Sequence, residues 1–131
     1  MLFRIAIIED DQETLKKLKN HLLIRNYQVT GYGDSSKAVP DIKRMHHKIV
    51  LLSLNLANGR SLQTLTRIQR HNPIIQIFCI AEDENSDVAK EALKMGVKGI
   101  FEKPFDSLQM IEKEIEKAVD CLDVQLSSGR R

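Results

Sequence analysis

The sequence predicts an α/β fold: a five-stranded parallel sheet, doubly wound as (βα)5, with helices on both faces. Three observations carry this prediction. Apolar runs of strand length alternate five times with segments whose apolar residues recur at helical spacing. The runs are nearly continuous in apolar residues, as expected of strands covered on both faces. Right-handed crossovers between parallel strands then leave a doubly wound sandwich as the compact solution.

The first run, 2–8, reads LFRIAII and is the first strand. In 9–23 the period changes: Leu15, Leu18 and Leu22 share a helical face, and acids occupy the first turn, where the helix dipole favours them. The stretch 27–33, YQVTGYG, alternates like a short strand and closes on glycine. The next helix, in 34–47, opens with capping residues, but Pro40 leaves its first turn uncertain. The run 48–53, KIVLLS, is the third strand. Leu62, Leu65 and Ile68 mark the helix that follows, and Asn72-Pro73 stops it. The run 74–81, IIQIFCIA, is the fourth strand. Val88, Ala92 and Met95 mark the fourth helix, which Gly96 ends. The run 97–102, VKGIFE, is the fifth strand. Leu108, Ile111, Ile115, Ala118 and Leu122 form the clearest amphipathic stripe in the chain. The domain is therefore expected to span 1–124. Residues 125–131 are small, polar and basic, and read as a disordered end or the start of a linker to a downstream output domain. Met1 reads as a natural start, so any further domain is expected after residue 131.

At 131 residues the chain is long enough for one domain with an ordinary core. A net charge of +2, with charges interleaved along the helices, is too mild for nucleic-acid binding by this segment. Arg4 and the acids at 9–11 exclude a signal peptide, and no apolar run approaches the roughly 18 residues of a membrane span. Cys79 and Cys121 have neither CxxC spacing nor neighbouring histidine pairs, so both are expected as reduced thiols of a cytoplasmic protein.

In such sandwiches ligands sit beyond the carboxyl ends of the strands, near the point where strand order reverses. That directs attention to Glu9, Asp10, Asp11, Ser53, Ala81 and Lys103. The first strand–helix loop has no glycine and carries three carboxylates, so it repels a phosphate unless a cation intervenes. An acidic cluster suits a hard divalent cation such as Mg2+, although helix capping alone also accounts for one or two acids. Pro104 bars Lys103 from helical geometry and directs its ammonium group toward the strand edge, where Glu9 or Asp10 can pair with it.

Together these motifs resemble the receiver domain of bacterial two-component response regulators, the CheY-like fold, over roughly residues 2–122. IIEDD is similar to the family's acidic pair, which the resemblance places at Glu9 and Asp10 as metal-binding positions. LLSLNLANG resembles the third-strand motif, in which an aspartate takes the phosphoryl group; that position is Ser53, and the carbonyl of Asn55 is the implied Mg2+ ligand. FEKPFD resembles the lysine–proline motif and implies that Lys103 contacts phosphate.

Departures fall on one circuit. The acceptor position is Ser53, the hydroxyl residue that reads the phosphate is Ala81, and the aromatic switch residue is Ile100. Ala57 stands where the motif has proline, and Ser61 replaces a glycine. A serine hydroxyl is neutral and needs an adjacent base, and His21, His46, His47 and His71 all fall on segments away from this strand end. Nor does the sequence have the GxSxG elbow that activates a serine. With one acid fewer, Mg2+ is expected to bind weakly. The expected function is a phosphorylation-independent, non-enzymatic interaction and dimerisation module. Its partner would be a sensor kinase, an output domain or a second copy, met through about 87–120, with Lys90, Lys94, Lys98, Glu112 and Glu116 as exposed charges. The alternatives are a receiver still switched by Mg2+-dependent phosphorylation at Ser53 or Asp11, and a flavodoxin-like ligand-binding domain.

Overall fold

The computed structural model describes residues 3–24, 27–105 and 107–128, with 123–128 described by backbone alone. Strands β1 (Arg4–Ile8), β2 (Gln28–Tyr32), β3 (Ile49–Ser53), β4 (Gln76–Ala81) and β5 (Gly99–Glu102) alternate with helices α1 (Gln12–Leu23), α2 (Ser35–Met45), α3 (Ser61–His71), α4 (Asp87–Lys94) and α5 (Leu108–Ser128). All strand pairs are parallel, in the order β2-β1-β3-β4-β5. The order reverses at β1, so the crevice between the carboxyl ends of β1 and β3 is the natural ligand position.

Alternate residues of the central strands point to opposite faces, and each face has its own core. Ile5, Ile7, Ile49, Leu51, Phe78 and Ile80 pack with Leu18 and Leu22 of α1 and Ile111, Ile115 and Ala118 of α5. Ala6, Ile8, Val50, Leu52, Cys79 and Ala81 pack instead with residues of α2, α3 and α4. β3 and β4 are buried along their whole length, which explains their near-continuous apolar runs.

Pro40 lies inside α2 and does not disturb its first turn. Asp34 caps the helix by accepting the Ser36 N–H at 2.9 Å. The hydrogen bond that Pro40 cannot donate would have served the Ser36 carbonyl, and both residues are exposed. Ala38, Val39 and Ile42, which are buried, hold the helix to the sheet. Gly31 is required by packing: a Cβ there would lie 2.8 Å from a Leu15 methyl, so α1 could not sit as closely on β2. Gly96, with φ +94°, ends α4 in the left-handed conformation that its position in the sequence predicts.

α5 continues to Ser128, four residues into the stretch read as a tail, and 129–131 lie outside the described residues. Cys79 is buried, which pushes its thiol up to about 12, whereas Cys121 is exposed. Among the described residues no helix is long and apolar enough to cross a membrane.

Candidate functional site at the carboxyl edge of the sheet

Every residue singled out at the strand ends falls on the carboxyl edge, because parallel strands bring all their carboxyl ends to one side. The pairing of Ile8 with Leu52 places Glu9 beside Ser53, and that of Ala81 with Glu102 places Lys103 next along the same edge.

Glu9 is 1% exposed, and Lys103 Nζ lies 2.5 Å from its Oε1. The contact is an ion pair without good hydrogen-bond angles, and Oε1 has no other partner among the described residues. Glu9 Oε2 accepts the backbone N–H of Asp11 at 3.3 Å. Asp10 points elsewhere: its Oδ2 accepts the Ala57 N–H at 2.7 Å. The lysine's partner is therefore Glu9, and Asp10 secures the loop after β3. Asp11 is exposed and precedes α1. The Thr14 hydroxyl donates to its carboxylate and holds it below the usual carboxylate range, with Lys103 adding a smaller pull in the same direction.

Ser53 is 1% exposed, and its Oγ accepts the Asn55 N–H at 3.2 Å. No imidazole bonds to it among the described residues: His21 pairs with Glu112 across α1 and α5 at 2.8 Å, and His47 lies before β3 at the opposite edge. Ala81 is buried and closes β4 with a methyl group. Ile100 is half-buried and packs against the core beneath α4. Between α1 and the start of α5, Asp11, Thr14, Lys17, Lys103, Phe105 and Leu108 border a cleft of about 630 Å3.

The oxygen set can be tested as a cation site. Glu9 is neutralised by a lysine, and one Asp10 oxygen is committed to a backbone donor. No cluster of three or more histidine, cysteine or acidic side chains could hold a metal among the described residues. The donor chemistry suits Mg2+, and a cation bound here would compete with Lys103 for Glu9 and with the Ala57 N–H for Asp10.

Residues 5–115 match the family model of the response regulator receiver domain. The chain belongs to this family. Its relatives include the nisin biosynthesis regulatory protein NisR of Lactococcus lactis, 30% identical over 86% of this chain and 49% of that protein. The receiver chain thus spans about half the length of the curated relatives it matches. A response regulator receiver domain protein of Clostridium thermocellum superposes with TM-score 0.86 at 19% identity, covering 95% of this chain and 99% of the other. The CheY-like receiver of Methanospirillum hungatei superposes with TM-score 0.82 at 20% identity, covering 92% and 96%. The fold is the CheY-like receiver fold, and the chain is the receiver domain of a two-component response regulator. Such domains are signalling modules.

One expected surface charge is corrected. Glu112 is 5% exposed, not a surface residue, because it lies on the α5 face that meets His21 of α1. Lys90, Lys94, Lys98 and Glu116 are exposed. Sequence reasoning missed two side chains at the edge. Asn55 was singled out for its carbonyl, but its side-chain Oδ1 accepts the Glu82 N–H at 2.9 Å. Glu102 was not singled out at all, and its Oε2 accepts the Glu84 N–H at 2.9 Å. The adjacency of Glu102 to Lys103 was the one available hint.

Proposed function

We propose that this receiver acts as a phosphorylation-independent interaction and dimerisation module, without enzymatic activity of its own. The observation that carries the reading is Ser53, sealed at the end of β3 with no base bonded to it among the described residues. Acyl-phosphate formation needs an anionic nucleophile, and a neutral hydroxyl without a base is a poor one. Ala81 has no hydroxyl to read a phosphate, and Ile100 has no ring to rotate between buried and exposed positions.

The acidic pair supports the same reading. The resemblance expects proline at position 57, and proline has no N–H. Alanine there supplies the donor that Asp10 takes. Glu9 already has its counter-charge in Lys103. A cation would have to displace both contacts, so Mg2+ is held weakly in this reading. Partner binding is assigned to about 87–120, where Lys90, Lys94, Lys98 and Glu116 are exposed. The partner is a sensor kinase, an attached output domain or a second copy, and the setting is the cytoplasm.

The test is incubation with Mg2+ and acetyl phosphate, read by intact mass, together with beryllofluoride titration followed by amide chemical shifts. No mass gain and no shift are expected. One added phosphoryl group, or a beryllofluoride shift centred on Ser53, overturns the reading. A second reading, phosphorylation of Asp11, is favoured by its exposed carboxylate, held ionised by Thr14. Asp11→Asn abolishes any mass gain if that reading holds.

A further inference from the structure

The contacts at the carboxyl edge form a circuit. Asp10, after β1, holds the loop that follows β3 through the Ala57 N–H. Asn55, in that loop, holds the next one, between β4 and α4, through the Glu82 N–H. Glu102, at the end of β5, grips the same loop through the Glu84 N–H. Lys103, the next residue, returns to β1 by pairing with Glu9. Lys103 N–H also donates to the Ala81 carbonyl at 2.8 Å, which fixes the end of β5 against the end of β4. Ser53 and Ala81 end the two strands between these links: the Ser53 hydroxyl accepts the Asn55 N–H within the first loop, and the Ala81 methyl contributes no link. Within the second loop, Asp83 takes the Asn85 N–H, and Ser86 caps α4 through the Ala89 N–H. The loop is thus held from both sides and leads directly into a capped helix.

We infer that this belt is a built-in latch: Asp10, Asn55 and Glu102 hold the two loops in one arrangement and so fix the α4–β5 surface without a phosphoryl group. The inference rests on the phosphorylation-independent reading and adds the residues that enforce it. Asp10, Asn55 and Glu102 are positioning residues. Each contributes a side-chain acceptor to a backbone N–H of a loop, where it sets conformation and takes part in no reaction. Glu84 and Glu102 also border a cleft of about 310 Å3 on the α5 side of β5, with Ile100, Phe105, Met110 and Ile111. Met110 is 61% exposed, so an apolar side chain stands ready at this rim.

The test is amide hydrogen exchange in the whole chain, read at Ala57, Glu82 and Glu84. In the wild type all three amides are protected. Glu102→Ala frees Glu84 directly. If the belt is one unit, exchange rises by about tenfold at Glu82 and Ala57 as well, since an acceptor that is charged contributes roughly that factor. Glu102→Gln keeps an oxygen acceptor and retains most of the protection. Asn55→Ala gives the same spread from the other side. The inference is overturned if only the directly freed amide accelerates in each variant, or if the three amides exchange at unprotected rates in the wild type. Phosphate response is read separately by mass. Unprotected amides in a chain that takes no phosphate defeat the latch alone, and a phosphorylated chain with protected amides defeats only the functional reading.

Discussion

Along the carboxyl edge, β1 and β5 end in charged side chains with partners, whereas β3 and β4 end in a serine and an alanine sealed from solvent. Glu9 and Lys103 meet in an ion pair at 2.5 Å. Ser53 and Ala81, each 1% exposed, sit between them with no charge at all. On the proposed reading, the outer half keeps the charged groups that the resemblance places around a phosphate, and the inner half lacks the acceptor carboxylate and the reading hydroxyl. A buried carboxylate without a counter-charge is strongly destabilising, so Glu9 and Lys103 have a structural reason to persist together. A hydroxyl or a methyl group in a sealed position needs little compensation. Retained charge at this edge is therefore weak testimony for retained phosphoryl chemistry.

The comparison breaks first at the ion pair. Lys103→Met leaves Glu9 buried and unpaired, and is expected to cost about 3 kcal/mol in urea denaturation. The double variant Glu9→Gln/Lys103→Met recovers most of that loss, to within about 1 kcal/mol of the wild type. If the single variant loses nothing, the pair is not structural.

Ser53→Asp sharpens the contrast by giving the inner half a charge. Beside Glu9, a third acid lowers the melting temperature in metal-free buffer by several degrees, about 1–2 kcal/mol. Mg2+ at about 100 times its dissociation constant returns up to about 2.7 kcal/mol in this variant, while the wild type shows a smaller Mg2+ response. Equal responses would show that the acids of the outer half already hold the cation without the added aspartate.

His47, at the amino edge, is a buried polar group with no ion pair as close as that of Glu9. It is 1% exposed, and among the described residues its ring nitrogens make no well-formed hydrogen bond, the Asp41 backbone being the acceptor that acts on it. Tyr32 meets it edge-on at 6.5 Å, and the Tyr32 hydroxyl donates to Asp41. Burial holds the His47 imidazole below its ordinary value, with Arg4 pushing in the same direction and Asp41 opposing. The unfolded chain then takes up the proton first. Stability is complete above pH about 6.5 and falls as the pH drops from there toward the lower folded value, by up to about 1.4 kcal/mol per pH unit. His47→Phe keeps an aromatic edge toward Tyr32 and flattens this part of the profile. A wild-type profile already flat between pH 7 and pH 5 would remove His47 as a titrating group. The smallest effect is expected from Ala81→Ser, about 1 kcal/mol or less, with acetyl phosphate still leaving the mass unchanged. A mass gain in that variant would show that only the reading hydroxyl was missing.

The strands and helices were legible because their signals are local. β3 and β4 read as near-continuous apolar runs, and α5 as a stripe at helical spacing. Pro40 left the first turn of α2 undecided, and the structure keeps it because a lost hydrogen bond on an exposed face costs little once Asp34 caps the helix. Glu112 misled because an amphipathic pattern does not show that a second helix lies close enough to bury a glutamate against a histidine.

By itself the sequence determined the doubly wound sheet, the gathering of the acids, Ser53, Ala81 and Lys103 at one edge, and the absence of a charged acceptor at the end of β3. Only the tertiary structure decided that Lys103 pairs with Glu9 while Asp10 takes the Ala57 N–H, and that Asn55 and Glu102 hold the loop after β4. The physical reason is the range of the interactions. Periodicity is written into neighbouring residues, whereas a side chain's choice of a backbone N–H depends on where distant loops turn, and that is set when the two cores close on the sheet.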